Sequence, residues 1–358
     1  MWANAFLIAI VTKFIKLGKK MSQVAGGKRY EYCNDAWFMF ILYQLPLIAL
    51  HLKGSYKVTV GIIEGIPAIW TTMFTFLLLD SISVFMKSKR MVRSSTSKGF
   101  GQGLLDFYNG KDTRPIILGF DVKVLAFRMG LFTLFSIIAA MVMHQYETRG
   151  HVSPGLGFIF ASYSVRLLDY ILFEHKYIPF FRFSQDHCGY RFLQECYIAA
   201  PFLWSLMASF SYIHPEVGMG SGSSCDCIHM GIATTVFLLG YYISRMAENQ
   251  RYAFRTDPHH PRFATMEKIP TTSGRRLLAG GWWGLVRFPN YLGGLLMTFS
   301  WAIPAGRAYP YVWLLPLIAF VRTLSTIHHV EQHMISKHGA AFTKYKASVP
   351  KRLIPGVL

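Results

Sequence analysis

Long apolar runs alternate with short polar segments along the whole chain. The runs cover residues 3–17, 36–52, 60–86, 122–144, 154–174, 195–213, 228–246, 289–305 and 309–327. A helix that crosses a hydrocarbon core needs about 20 apolar residues, fewer when it packs inside a bundle. The pattern therefore predicts an all-α fold, a polytopic transmembrane helical bundle of about eight to ten helices, the count depending on how the run 60–86 divides. The first run is short, carries Lys13 and Lys16, and is followed by no small-residue cleavage site, so it does not read as a signal peptide. No internal repeat or low-complexity segment interrupts the pattern, and nothing suggests a separate soluble domain. Residues 1–358 read as a single membrane domain.

Composition strengthens this reading. Hydrophobic residues make up 52% of the chain and charged residues 15%, against about 25% charged in soluble domains. The aromatic content suits the belts that form at membrane interfaces. The net charge is +19, and its Lys and Arg residues sit between the apolar runs. One basic loop holds Lys87, Lys89, Arg90, Arg93 and Lys98, and a second holds Lys111 and Arg114. A third runs from Arg245 to Arg276, and the tail carries Lys337, Lys344, Lys346, Lys351 and Arg352. The bias of Lys and Arg toward the cytoplasm assigns all four to that side. Charge distributed in this way points to anionic lipid headgroups and phosphorylated cofactors, and no direct contact with nucleic acid is expected. The five cysteines are irregularly spaced. Cys225 and Cys227 have no second pair at ligand spacing, so they read as free thiols and no metal is expected.

Three segments carry candidate chemistry. In Gly280-Gly-Trp-Trp-Gly-Leu-Val-Arg-Phe-Pro-Asn-Tyr-Leu-Gly293, the donors Trp282, Arg287, Asn290 and Tyr291 crowd one glycine-bounded turn just before an apolar run. Glycine lets a backbone approach a ligand closely, and Pro289 fixes the turn. In Asn249–Arg255, Arg251 and Arg255 are four residues apart and share a helix face. Two guanidinium forks on one face suit a phosphate. In His328–Gly339, His329 and His333 share a face while Glu331 points elsewhere, which is not the zinc pattern.

At these residues the chain resembles the lamin B receptor and sterol reductase family, in its carbon-14 branch. Gly281–Gly294 is similar to the family signature leu-leu-x-ser-gly-trp-trp-gly-x-x-arg-his-pro-asn-tyr-x-gly-asp, with Leu277 and Leu278 at the expected distance upstream. The block from Gly240 through Arg245, Gln250, Phe254, Arg255 and Pro258 resembles the segment before that signature. Asp106-Phe-Tyr-Asn-Gly110 resembles asp-phe-phe-x-gly, and Asp186-His-Cys-Gly189 resembles his-asp-x-x-gly. Tyr345, Val349-Pro350 and Leu353-Ile-Pro355 resemble the family's end. The likeness covers about residues 100–358, with the cofactor-pocket motifs in 240–358.

The resemblance implies NADPH-dependent reduction of a sterol ring double bond in the endoplasmic reticulum or inner nuclear membrane. Arg251 and Arg255 would hold the 2′-phosphate of NADPH, and Trp282, Arg287, Asn290 and Tyr291 would line its pocket. Partners implied are a sterol, membrane lipid and nuclear lamina proteins. The chain also departs from the pattern. Phe288 replaces the signature His, Gly294 its closing Asp, and Gln185 the His before Asp186. The last-helix motif his-arg-x-x-arg-asp-glu maps onto Ser325, Thr326, His329, Val330 and Glu331, where only the Glu is kept. Glu331 and Asp186 are the carboxyls left as candidate catalytic acids, with Glu195 a further one nearby. Two alternatives stand beside the reductase: a degenerate member acting as a membrane scaffold or sterol-binding protein, and an isoprenylcysteine-type methyltransferase. The latter has a similar turn, matched by Arg287, Pro289, Tyr291, Gly293 and Glu331, and would use S-adenosylmethionine.

Overall fold

Inside a hydrocarbon layer the backbone finds no water, so an apolar run satisfies its own N–H and C=O groups by coiling into a helix. The computed structural model describes residues 19–25, 28–54, 58–91, 100–179, 181–216, 224–271, 274, 276–305 and 309–356. The candidate span 3–17, Arg93, Lys98 and residues 217–223 lie outside the described residues. Among the described residues, six stretches are long and apolar enough to cross a membrane: Ile66–Ser88, Val122–Arg149, Pro154–Tyr177, Tyr190–Ile213, Cys227–Thr256 and Pro310–His338. Ala36–Leu52 is a shorter apolar helix. The chain is a multi-pass helical membrane protein, and it divides into two compact units, Met1–Pro215 and Glu216–Leu358.

The first unit opens with an antiparallel hairpin, β1 (Lys19–Ala25) and β2 (Lys28–Asn34). There follow α1 (Ala36–Leu52), α2 (Val58–Glu64), α3 (Ile66–Met91) and α4 (Phe100–Asn109). The apolar run at 60–86 divides at Gly65, with Pro67 in the first turn of α3, where its missing N–H is not needed. A short hairpin, β3 (Ile116–Ile117) and β4 (Phe120–Asp121), leads into α5 (Val122–Arg149). This helix is buried nearly all round, as expected of a helix at the centre of a bundle. Asp121 caps its start by accepting from Val124 N, and Gly150 ends it in the left-handed conformation. Then come α6 (Pro154–Tyr177), α7 (Phe181–Ser184) and α8 (Tyr190–Gln194), a π-helical turn over Glu195–Leu203, and α9 (Ser205–Ile213).

Several charged and polar groups inside this unit are paired with one another. The Arg128 guanidinium donates to Glu174 through Nε and Nη2 at 2.8 and 2.7 Å, and its Nη1 forms an ion pair with Asp35 at 2.8 Å. Tyr170 donates to the same Glu174 at 2.6 Å. Tyr43 and Thr133 join α1 to α5 at 3.0 Å. Asp35 lies outside the spans, and burial holds its carboxyl above the ordinary carboxylate range even beside Arg128.

The second unit holds α10 (Ser224–Thr256), a short hairpin of β5 (Lys268–Pro270) and β6 (Arg276–Leu278), α11 (Trp282–Leu285), α12 (Pro289–Ser300), α13 (Leu314–His338) and α14 (Ala340–Ser348). The apolar run 289–305 builds a helix of only 12 residues before a 3-10 turn at Ile303–Ala305. Pro304 in that turn has no N–H to extend the helical ladder. At about 18 Å, the helix is shorter than a hydrocarbon core. Conversely, α10 and α13 run well past their apolar segments into polar sequence, and these extensions carry the candidate residues.

Candidate cofactor pocket

The helical extension of α10 sets Arg251 and Arg255 on one face, as their spacing requires. Arg255 is exposed, while Arg251 lies with its guanidinium carbon 5.1 Å from the centre of the Trp283 ring. Trp283 is held from the same helix, because its indole N–H donates to the carbonyl of Ala247 at 2.9 Å. Gln250 fixes the turn before it: Oε1 accepts from Trp282 N at 3.0 Å, and Nε2 donates to Gly280 O at 3.3 Å. The turn passes so close that a Cβ on Gly281, whose φ is +59°, would fall 2.1 Å from Gln250 Nε2. Glycine is therefore needed there on two counts, conformation and space.

A second close approach holds α12 against α10. A Cβ on Gly293 would lie 2.4 Å from Gly240 O, and one on Gly240 would lie 2.7 Å from Gly293 O. Small residues at a crossing let two membrane helices meet backbone to backbone. Tyr242 of α10 meets Trp282 edge to face at 6.0 Å. Asn290 and Tyr291, on the first turn of α12, stand beside this crossing. The Asn290 Oδ1 is buried and has no hydrogen-bond partner among the described residues. Phe288, the residue at the signature His position, is buried and stacks on Tyr291 at 5.7 Å.

Arg287 faces the interior of the unit. Only 4% exposed, it donates through Nε to Glu331 Oε1 at 2.9 Å, and through Nη1 to the carbonyls of Val349 and Pro350, both at 2.7 Å. Arg352 closes on the other Glu331 oxygen at 3.2 Å. The backbone N–H groups of Arg287 and Phe288 donate to Lys351 O and Arg352 O, and Tyr345 OH donates to Trp283 O at 2.9 Å. Burial raises the Tyr345 hydroxyl above its ordinary pKa. The glycine-bounded turn and the tail motif, far apart in sequence, are thus one structure. Sequence reasoning missed this clamp; its signal was the retained Glu331, whose partner no spacing rule identifies.

The other candidates lie elsewhere. Val330 is buried, about 100° around α13 from Glu331. Asp186 belongs to the first unit, where Oδ1 accepts from Arg191 at 2.6 Å and its carbonyl from the buried Lys123 at 2.5 Å. Two motifs read separately in the sequence meet there. Gly110 packs on the backbone of Cys188 and Gly189, and Cys188 N donates to Asp112 O at 2.8 Å. Burial pushes the Cys188 thiol up. Among the described residues no group of three or more His, Cys, Asp or Glu side chains is placed to hold a metal.

The family described as ergosterol biosynthesis ERG4/ERG24 matches residues 1–358, the whole chain. The chain belongs to this family. Among its relatives, the Delta(14)-sterol reductase TM7SF2 of Mus musculus is 30% identical over 326 residues, covering 87% of this chain and 74% of that protein. The Delta(14)-sterol reductase LBR of Gallus gallus is 29% identical over 77% of this chain, which matches only 43% of that longer protein. The Delta(14)-sterol reductase of Methylotuvimicrobium alcaliphilum is 25% identical over 92% of this chain and 76% of its own length. At such identities this chain is a divergent member of the ERG4/ERG24 family, in line with its departures at Phe288, Gly294 and Val330.

The pocket residues fit a phosphorylated dinucleotide. Two arginines on one helix face supply phosphate donors, with an indole plane under one of them. The buried Asn290 oxygen supplies an acceptor that lacks a donor.

Proposed function

We propose that the chain is an NADPH-dependent sterol reductase acting on the delta-14 ring double bond, the bond in the names of its relatives. The observation that supports this reading is Arg251 set on the ring of Trp283 beside the turn that Gln250 latches, with Arg255 one helical turn further along the same face. When bound, the cofactor supplies hydride. Arg251 and Arg255 hold its 2′-phosphate, Asn290 accepts from a polar edge, and Trp282 and Tyr291 flank the pocket. Arg287 acts through the turn that it and Glu331 clamp to the tail. Replacing Arg251 and Arg255 together with Ala should weaken NADPH by about tenfold or more per lost charge-assisted bond and NADH far less. Equal weakening of both would reduce the two arginines to ordinary cytoplasmic charges.

An isolated alkene accepts hydride poorly, so a proton must arrive first from an acid near the sterol. Glu331 has both oxygens taken by arginines, which leaves neither free to face a sterol. Val330 cannot ionise. This pairing favours slow turnover with binding retained. Incubating the purified protein with NADPH and a delta-14 sterol, read by mass spectrometry, tests it. Reduction at about 1 per second or faster would show that a competent acid is present; no reduction despite sterol and NADPH binding would favour the binding-protein reading.

The family resemblance carries the location as well: the endoplasmic reticulum and its continuation in the inner nuclear membrane, with the basic tail in the cytoplasm. A tail protected from protease in sealed microsomes would overturn that orientation. Nuclear lamina proteins as partners are tested by co-purification with the tagged full chain.

A further inference from the structure

An ionisable side chain inside a membrane span is costly, and it marks a function unless a partner neutralises it. In the first unit, Asp80 lies on α3 within the span Ile66–Ser88, about 12 Å along the axis from its Ser88 end. The packed face of this helix is the stripe Met73, Leu77, Ser81, Val84 and Ser88. Leu78, Leu79 and Ile82 are exposed on the other side. Asp80 sits on the edge between the two and is partly exposed.

Its one partner among the described residues is Tyr197, whose hydroxyl donates to Asp80 Oδ2 at 2.6 Å. Tyr197 is buried in the π-helical turn Glu195–Leu203, which packs its backbone directly against Gly130 of α5. Short π segments recur at functional sites, and this one fixes the phenol. The phenol in turn orients the carboxyl group. The second oxygen, Oδ1, has no hydrogen-bond partner among the described residues. A site with one polar acceptor, set within a span at the edge of a face that exposes Leu78, Leu79 and Ile82, takes a molecule that is apolar except for a single hydroxyl.

We propose that Asp80 Oδ1 binds the hydroxyl of a polycyclic alcohol, with Tyr197 as its positioning residue. This rests on the sterol reading above and adds a specific anchoring point to it. A purely structural role for Asp80 would make an apolar replacement cost stability, because it strands the buried Tyr197 hydroxyl, and leave the relative binding of alcohol and ether unchanged. A hydroxyl-binding role makes the same replacement harmful to the alcohol alone.

The test uses the full chain in detergent micelles and radiolabelled cholesterol beside its 3-methyl ether, which lacks the donor. Wild type should bind the alcohol about tenfold or more tightly than the ether, the ratio set by one charge-assisted hydrogen bond. Asp80→Leu should erase that preference by weakening the alcohol only, and Asp80→Asn, which keeps an acceptor oxygen, should restore part of it. Tyr197→Phe should reduce the preference without abolishing binding. Equal binding of alcohol and ether by the wild type, or a preference that survives Asp80→Leu, would overturn the hydroxyl site and leave the sterol reading standing. Failure of the wild type to bind either sterol, with NADPH still bound, would overturn the sterol reading and this site together.

Discussion

Each of the two units buries an arginine against carboxylates, and the two do so to different ends. In the first, Arg128 meets Asp35 and Glu174, with Tyr170 donating to Glu174, so acids outnumber the cation and the partners come from the ends and faces of helices. In the second, Glu331 meets Arg287 and Arg352, so cations outnumber the acid, and the remaining Arg287 donors go to tail carbonyls. The first cluster ties helix to helix and serves the bundle. The second ties the glycine-bounded turn to the end of the chain and, on the proposed function, serves the pocket. A buried charged pair is weak evidence of net stability in either place, but removing one member leaves the other stranded.

Four substitutions separate these roles. Arg128→Ala strands two buried carboxyl groups and should have the largest effect, about 3–5 kcal/mol or more of stability, measured by thermal unfolding in detergent. The NADPH affinity of protein that remains folded should stay unchanged; a selective loss of affinity would mean that the first cluster also serves the pocket. Arg287→Ala should cost less, toward about 3 kcal/mol, because Arg352 stays with Glu331 and is half exposed. It should release the tail, seen as proteolysis near Pro350, and weaken NADPH. Unchanged affinity with a freed tail would show that the clamp is dispensable for the pocket.

A Gly293→Leu substitution forces α10 and α12 apart and should cost about 1–3 kcal/mol, with NADPH weakened because Asn290 and Tyr291 move with α12. Gln250→Ala should be the mildest, about 1 kcal/mol for the hydrogen bonds lost at the turn, with NADPH weakened a few-fold. An NADPH affinity equal to wild type in Gln250→Ala would remove the latch from the account of the site while leaving the helix crossing in place.

Much of this was legible beforehand. Apolar runs long enough to span a membrane show as composition, and the four-residue spacing of Arg251 and Arg255 shows as a shared face once the helix reaches them. Less legible was where helices stop. The run 289–305 looks like a span, yet Pro304 breaks its ladder, while α13 continues through polar His328–His338 because a helix needs backbone bonds, not apolar side chains. Arg287 shows the same limit at a side chain. Its place in a donor-rich turn pointed to a ligand, and the folded chain turns it inward to Glu331.

What the sequence by itself determined is the class of molecule: a basic, multi-pass helical membrane protein with two arginines at helical spacing and the motifs of its family. Periodicity, run length and charge are local quantities that one pass along the chain can read. Only the tertiary structure decided which motifs are one object. It brought Gly110 to Gly189, Gly240 to Gly293, Arg287 to Glu331 and the tail, and Tyr197 to Asp80. Each of these pairs is joined across tens of residues by contact distances of a few ångströms, set by how the helices pack and not by any spacing along the chain.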